Sequence, residues 1–186
     1  MGEAATLTAE NNETLHLASC EAALAMARER RDEAVGVLRS LTKEGSPAVR
    51  CRVAECLTEL GGEQAAVGLS NLLGDPNHRV RIAAADGLGF LNAHAIRKQL
   101  VNLMENDPHI EVRIAAARAL GRLQDYGGLP MIVDMLYKGN ERIQRLAVRA
   151  LKDIIGQSFT PDYSGIQAAK RYLQVQGKKY FSGDDL

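Results

Sequence analysis

Residues 80–91 read VRIAAADGLGFL, and residues 112–123 read VRIAAARALGRL. A fainter copy, VRCRVAECLTEL, starts at Val49 and another, IQRLAVRALKDI, at Ile143, so the four starts lie 31, 32 and 31 residues apart. Periods of this length mark stacked helix pairs. Within the phrase, Val80, Ala83, Ala84, Gly87, Leu88 and Leu91 share one helical face, and Val112, Ala115, Ala116, Ala119, Leu120 and Leu123 repeat it. The face is small: its alanines and glycine let a neighbouring helix approach closely, while one valine and two leucines per copy supply the apolar area. About a dozen residues with a second apolar helical pattern follow each copy, so the unit is helix, turn, helix, with the core made by stacking.

Composition agrees. Alanine and leucine dominate, aromatics are 4% and tryptophan is absent, which suits a helical array better than a sheet sandwich. Twenty-three basic residues balance 23 acidic ones, so no global field draws the chain to nucleic acid or anionic membrane. Neither a signal peptide nor an 18-residue apolar span is present, which with reduced thiols points to a cytoplasmic protein. Cys20, Cys51 and Cys56 are odd in number and lack a CxxC pair, so no disulfide framework or zinc knuckle is indicated. Cys56 stands where Gly87 and Ala119 stand in later copies and reads as packing.

In chain order, residues 1–12 read as a flexible leader, Glu13–Arg28 and Asp32–Lys43 as a degenerate first pair, and residues 13–176 as one domain. Residues 13–45 are its N-terminal cap and residues 46–158 the clear repeats. Ser46-Pro47, Asp75-Pro76, Asp107-Pro108 and Gly139-Asn140 open successive units. Second helices are predicted over Glu63–Leu73, Ala93–Glu105 and Leu129–Tyr137, with Gly61-Gly62 and Gly127-Gly128 as helix stops. Residues 159–176 read as a C-terminal cap whose helix runs over Ser164–Gln176, and residues 177–186 as a loosely ordered tail.

These phrases, with their DP turns, resemble HEAT-like repeats of the short bacterial type first named for phycobilisome lyases, well over residues 46–158 and weakly at either end. The resemblance implies an all-α fold: a right-handed α-solenoid, or armadillo-type superhelix, of about five stacked antiparallel helix pairs. It implies first helices on the convex side, second helices lining a concave groove, and a turn acid paired with an arginine six places on. The matching pairs are Asp75 with Arg81, Asp107 with Arg113 and Glu44 with Arg50; Lys138 and Gln144 hold the fourth position, so the ladder should stop there. Held by carboxylates and loop carbonyls, these arginines read as structural pins rather than a stripe for phosphate.

Aligning the second helices on their leucines puts Ser40, Asn71, Asn102 and Asp134 in one column. Lys43, Gly74, Glu105 and Tyr137 run beside it, and His94, Lys98, Arg97 and Tyr126 lie nearer the helix starts. Asparagine is a poor helix former, so Asn71 and Asn102 in mid-helix suggest hydrogen bonding to an extended partner or between units. Tyr126 and Tyr137 are of the kind enriched in interfaces. The histidines, His16, His78, His94 and His109, form no HExxH, and no GxSxG, P-loop or GxGxxG occurs. The expectation is therefore a monomeric, non-enzymatic scaffold or adaptor with no cofactor or metal, binding another protein through the concave face. A bilin lyase-like, chromophore-handling subunit is the alternative that the resemblance implies; a nucleic-acid-binding array is disfavoured by the charge balance.

Overall fold

A computed structural model describes residues 2–43 and 45–176, with side chains from residue 10 onward. These residues form ten α-helices and two short 3-10 turns, with no strand among them. They fall into two compact units, Met1–Ala93 and His94–Leu186.

In the first unit the helices are α1 (Gly2–Met26), α2 (Arg31–Leu41), α3 (Pro47–Leu60), α4 (Glu63–Leu72) and α5 (His78–Phe90). α3 packs between α1 and α5, while α2 and α4 pack on one another and on the first helices beside them. The fully buried Leu38, Leu57, Leu69 and Leu88 form the large part of the core. Removing each from water contributes about 2 kcal/mol. α1 starts at Gly2 rather than Glu13, so the stretch expected as a leader is helical. The physical reason is local: after Gly2 no glycine or proline interrupts a segment rich in alanine, leucine and glutamate.

The second unit comprises the 3-10 turn His94–Ile96, α6 (Arg97–Asn106), α7 (Ile110–Arg122), a second 3-10 turn Tyr126–Gly128, α8 (Leu129–Lys138), α9 (Glu141–Ile155) and α10 (Tyr163–Gln176). α7 packs on α6 and α9, α8 on α9, and α10 on both α8 and α9. Leu100, Leu120, Leu129, Ile132, Leu136 and Leu151 are fully buried. In α7 burial extends beyond the predicted face to Ile114, Ala117 and Gly121, because α6, α9 and the 3-10 turn Tyr126–Gly128 cover it from several sides. A Cβ on Gly121 would stand 2.6 Å from the Cα of Ile154, so α7 and α9 meet almost backbone to backbone.

The turns account for the punctuation. Ser46 accepts from Val49 N and donates to Glu13 Oε1 at 2.7 Å, joining the start of α3 to α1. Asp75 Oδ1 accepts from Asn77 N and Asp107 Oδ1 from His109 N, each at 2.8 Å, so the two DP turns share one Asx geometry. Gly61 and Gly62 have positive φ and end α3 as expected. Gly127-Gly128 instead lie in the 3-10 turn that leads into α8, where a Cβ on Gly128 would meet Ala117 Cβ at 2.7 Å. Left-handed residues after α5 and α7 are Asn92 (φ 50°) and Gln124 (φ 61°), not glycines.

The arginine ladder differs in register from the expected one. Arg81 donates to the main-chain oxygen of Asp75 at 2.7 Å and to that of Pro76 at 3.2 Å. The Asp75 carboxylate takes Arg50 in a fork, Nε to Oδ2 at 2.6 Å and Nη2 to Oδ1 at 3.1 Å, while Arg50 Nη1 reaches Gly45 O at 2.8 Å. Arg113, expected opposite the Asp107 carboxylate, donates to Met104 O at 2.9 Å. All three equivalent arginines thus hold loop or helix-end carbonyls, and an acid one turn further along the array receives Arg50. At Asp75 both carboxylate oxygens are already engaged, Oδ1 with Asn77 N and Arg50 Nη2 and Oδ2 with Arg50 Nε, which leaves Arg81 the main-chain oxygens of the turn. Glu44 lies outside the described residues, as does the predicted tail 177–186.

Burial would raise the Asp75 carboxyl, but hydrogen bonds from Arg50 and Asn77 N and the charges of Arg50 and Arg81 outweigh it and hold the group below the usual carboxylate value. The Cys20 and Cys56 thiols, both fully buried, are raised by burial, Cys56 to about 12; the half-buried Cys51 is also raised, again chiefly by burial.

Four outcomes are expected. Arg50→Met leaves the Asp75 carboxylate uncompensated at 4% side-chain exposure and should cost about 3 kcal/mol in urea unfolding. Since Asp75 has a depressed folded pKa, its contribution is present above the unfolded value near 3.9 and is lost as pH falls through the folded value. The stability difference between wild type and Asp75→Asn should therefore close below about pH 4. Gln124→Gly relieves a left-handed side chain and should stabilise by about 0.5–1 kcal/mol in thermal melts. An aromatic disulfide reagent at pH 8 should leave Cys20 and Cys56 unmodified until the chain is denatured; rapid native reaction at either would contradict the buried, raised thiols.

Candidate functional site

The second helices bury one stripe and leave the other in water, which places the predicted columns on the surface. In α6, Leu100 and Met104 face inward while Lys98, Asn102 and Glu105 are exposed; in α8, Ile132, Met135 and Leu136 face inward while Asp134 and Tyr137 are exposed. The face is therefore amphipathic in the sense that leucine alignment required.

Arg97 opens α6, its side chain 58% exposed, and its Nε lies 2.5 Å from Asp125 Oδ2. Asp125 also accepts from Gly127 N at 2.9 Å. One carboxylate thus ties the start of α6 to the 3-10 turn that carries Tyr126, which is 40% exposed. His94 in the first 3-10 turn is exposed beside this clamp in sequence. Asn102 Oδ1 accepts from Asn106 Nδ2 at 2.8 Å, a bond one turn along its own helix rather than between units. Asp134 pairs with Lys138 at 2.5 Å, again one turn along its helix. Tyr137 donates from its hydroxyl to Lys170 O at 3.3 Å, and Lys170 Nζ stands 5.2 Å from the ring centroid, a cation over an aromatic face. Tyr137 nevertheless keeps 41% exposure.

Asn71 is exposed on α4 in the first unit, one residue from the end of a helix whose Val67 is 40% exposed. Ser40 is exposed on α2, which packs against α4. The remaining predicted site residues, His94, Arg97, Lys98, Asn102, Glu105, Tyr126, Asp134 and Tyr137, all belong to the second unit. Asp75, Arg81 and Arg113 act in the turn network described above. Asp107 makes the equivalent Asx turn, with His109 Nδ1 3.6 Å from its Oδ1.

Sequence reasoning passed over Asp125 and Lys170, which set the positions of Arg97 and Tyr137. A period signal existed for the second: Lys170 lies 33 residues after Tyr137, about one repeat on. A similar spacing, 31 residues, separates Glu21 from Arg52 and Glu111 from Arg142, pairs that join successive first helices. Among the described residues no group of three His, Cys, Asp or Glu side chains is placed to hold a metal ion. No helix there is long and apolar enough to cross a membrane.

This geometry can be set beside known proteins. No curated protein matches the chain. The structure is similar to that of the complex of CpcE and CpcF of phycocyanin lyase from Nostoc sp. PCC7120, with a TM-score of 0.53 and 26% sequence identity. The likeness covers 78% of this chain and 65% of that chain, so it spans less than two thirds of the solved neighbour. The family model described as HEAT repeats matches residues 16–89 and 97–163. With helix pairs, period and family model in agreement, the chain belongs to the HEAT repeat family.

Proposed function

We propose that the chain is a non-enzymatic scaffold or adaptor that holds a segment of another protein on the exposed face of its second helices, with α6 and α8 supplying the main contacts. The observation that carries this reading is the likeness of this HEAT repeat chain to a structure solved as a complex of two subunits, CpcE and CpcF. The local chemistry supports it. Tyr126 and Tyr137 give half-exposed aromatic area. Lys98, Asn102 and Glu105 on α6 and Asp134 on α8 add exposed donors and acceptors of both signs, a mixture that suits a protein segment better than a uniform polyanion. The Arg97–Asp125 pair pre-sets the loop that presents Tyr126, so less ordering is required on binding.

A second reading rests on the same neighbour, a phycocyanin lyase complex: this chain as a subunit that handles a linear tetrapyrrole. It differs in requiring a pigment. The two separate in one experiment, in which the chain is incubated with a linear tetrapyrrole and, in parallel, used to capture proteins from its native lysate.

The Asn102→Ala/Asp134→Ala variant removes only exposed, intrahelical partners and should shift the melting temperature little, each surface pair contributing about 0.5 kcal/mol or less. A protein retained by wild type and lost from the equally folded variant supports the adaptor reading. New visible absorbance on the chain without a retained protein favours the pigment reading. A large loss of stability in the variant would show that these side chains hold the fold and do not form a binding face.

A further inference from the structure

α9 carries a second surface that the second-helix reading does not use. Its sequence, ERIQRLAVRALKDII, buries Ala147, Val148, Ala150, Leu151, Ile154 and Ile155 against the rest of its unit. On the opposite side Arg142, Arg145, Arg149 and Lys152 are exposed. Arg142 turns toward α7, where it meets Glu111, and Asp153 does the same, receiving Arg118 at 2.7 Å and Arg122 at 2.9 Å. Arg145, Arg149 and Lys152, spaced i, i+4 and i+7, run down the adjoining side over about 10 Å of helix. Arg145 holds only Glu141 of its own helix, and no partner is found for Arg149 or Lys152 among the described residues. Between these side chains lies an open cleft of about 360 Å³ lined by Glu141, Arg142, Arg145, Leu146 and Arg149.

In each unit one pair of successive first helices is joined by an acid on the earlier helix and an arginine on the later, and between α7 and α9 Arg118 and Arg122 add the reverse contact to Asp153. Glu21 of α1 takes Arg52 of α3 at 2.7 Å, and Glu111 of α7 takes Arg142 of α9. α9 is the last first helix described, and its exposed edge offers cations with no acid from another element opposite them among the described residues.

We propose that this edge of α9 docks an acidic amphipathic helix of a partner protein, whose carboxylates pair with Arg145, Arg149 and Lys152 while an apolar side chain enters the cleft over Leu146. Charge complementarity selects the partner, and the interfaces inside the units supply its pattern. A nucleic-acid backbone fits less well. The stripe is short, no aromatic side chain lies among the residues that line it, and the chain as a whole carries no net charge.

The test uses the full chain and a fluorescein-labelled, lactam-stapled helical peptide with a Leu/Ala stripe flanked by glutamates at i, i+4 and i+7. Anisotropy should show saturable binding, weakened at least about tenfold in Arg149→Glu/Lys152→Glu, and similarly weakened when the peptide's glutamates become glutamines. Both substituted positions are exposed, so circular dichroism and the melting temperature should stay at wild-type values; the Arg149→Gln/Lys152→Gln variant gives an intermediate loss without introducing repulsion. Asn102→Ala/Asp134→Ala, which leaves α9 intact, should bind the peptide as wild type does, so this surface stands or falls apart from the second-helix face. Binding that is absent, indifferent to charge reversal in the protein, or matched by the glutamine peptide overturns the proposal, as does tighter binding of a duplex DNA oligonucleotide at the same salt.

Discussion

The close approach of neighbouring first helices is the constraint on which the rest depends. Where Gly121 meets Ile154, and where Ala84 and Ala116 are fully buried, there is no room for a larger side chain. Large apolar residues are consequently displaced to the layer between first and second helices, where Leu57 and Leu69 or Leu120 and Ile132 fill the space. Each unit thus has a tight layer of small residues and a thick layer of leucines. The second helices, touching the core on one stripe only, are left with an open face. The surface available for recognition follows from how little volume the first helices present to one another.

Polar groups set the angle at which these layers continue. Arg50, Arg81 and Arg113 occupy equivalent positions and all donate to main-chain oxygens near a turn, so each fixes a helix start against the preceding chain. Arg50 adds the forked bond to Asp75, whose carboxylate also accepts from Asn77 N. A single acid therefore joins the start of α3 to the turn before α5. The exposed pairs Glu21–Arg52 and Glu111–Arg142 are screened by water and add little stability, but they repeat at the period of the fold and define which edges face one another.

Much of the architecture was legible because one physical pattern recurs. The twelve-residue phrase gave helix positions within a few residues for α3 to α9, and the DP turns were correctly placed. The register of the arginine ladder was not legible, since sequence spacing cannot tell whether Asp75 offers Arg81 its side chain or its carbonyl. Nor were the ends of α5 and α7, where Asn92 and Gln124 adopt the left-handed conformation that glycine usually takes. Gly127-Gly128 misled for the converse reason: glycine also appears where two helices crowd a loop, as Ala117 crowds Gly128. At the surface, leucine alignment found the exposed positions but not their neighbours, Asp125 and Lys170, because those contacts cross from one element to another.

α5 and α7 share the run VRIAAA and the same kind of turn before it. Two segments so alike are interchangeable by hydrophobic packing alone, and during synthesis either can meet the surface meant for the other. What separates them is polar and local: Asp75 is engaged with Arg50 before α5, whereas α7 carries Glu111 and Arg118, which meet Arg142 and Asp153 of α9. These bonds act as proofreading marks. Besides what they add to the finished fold, they penalise the mispaired one, in which each polar group would lose its partner.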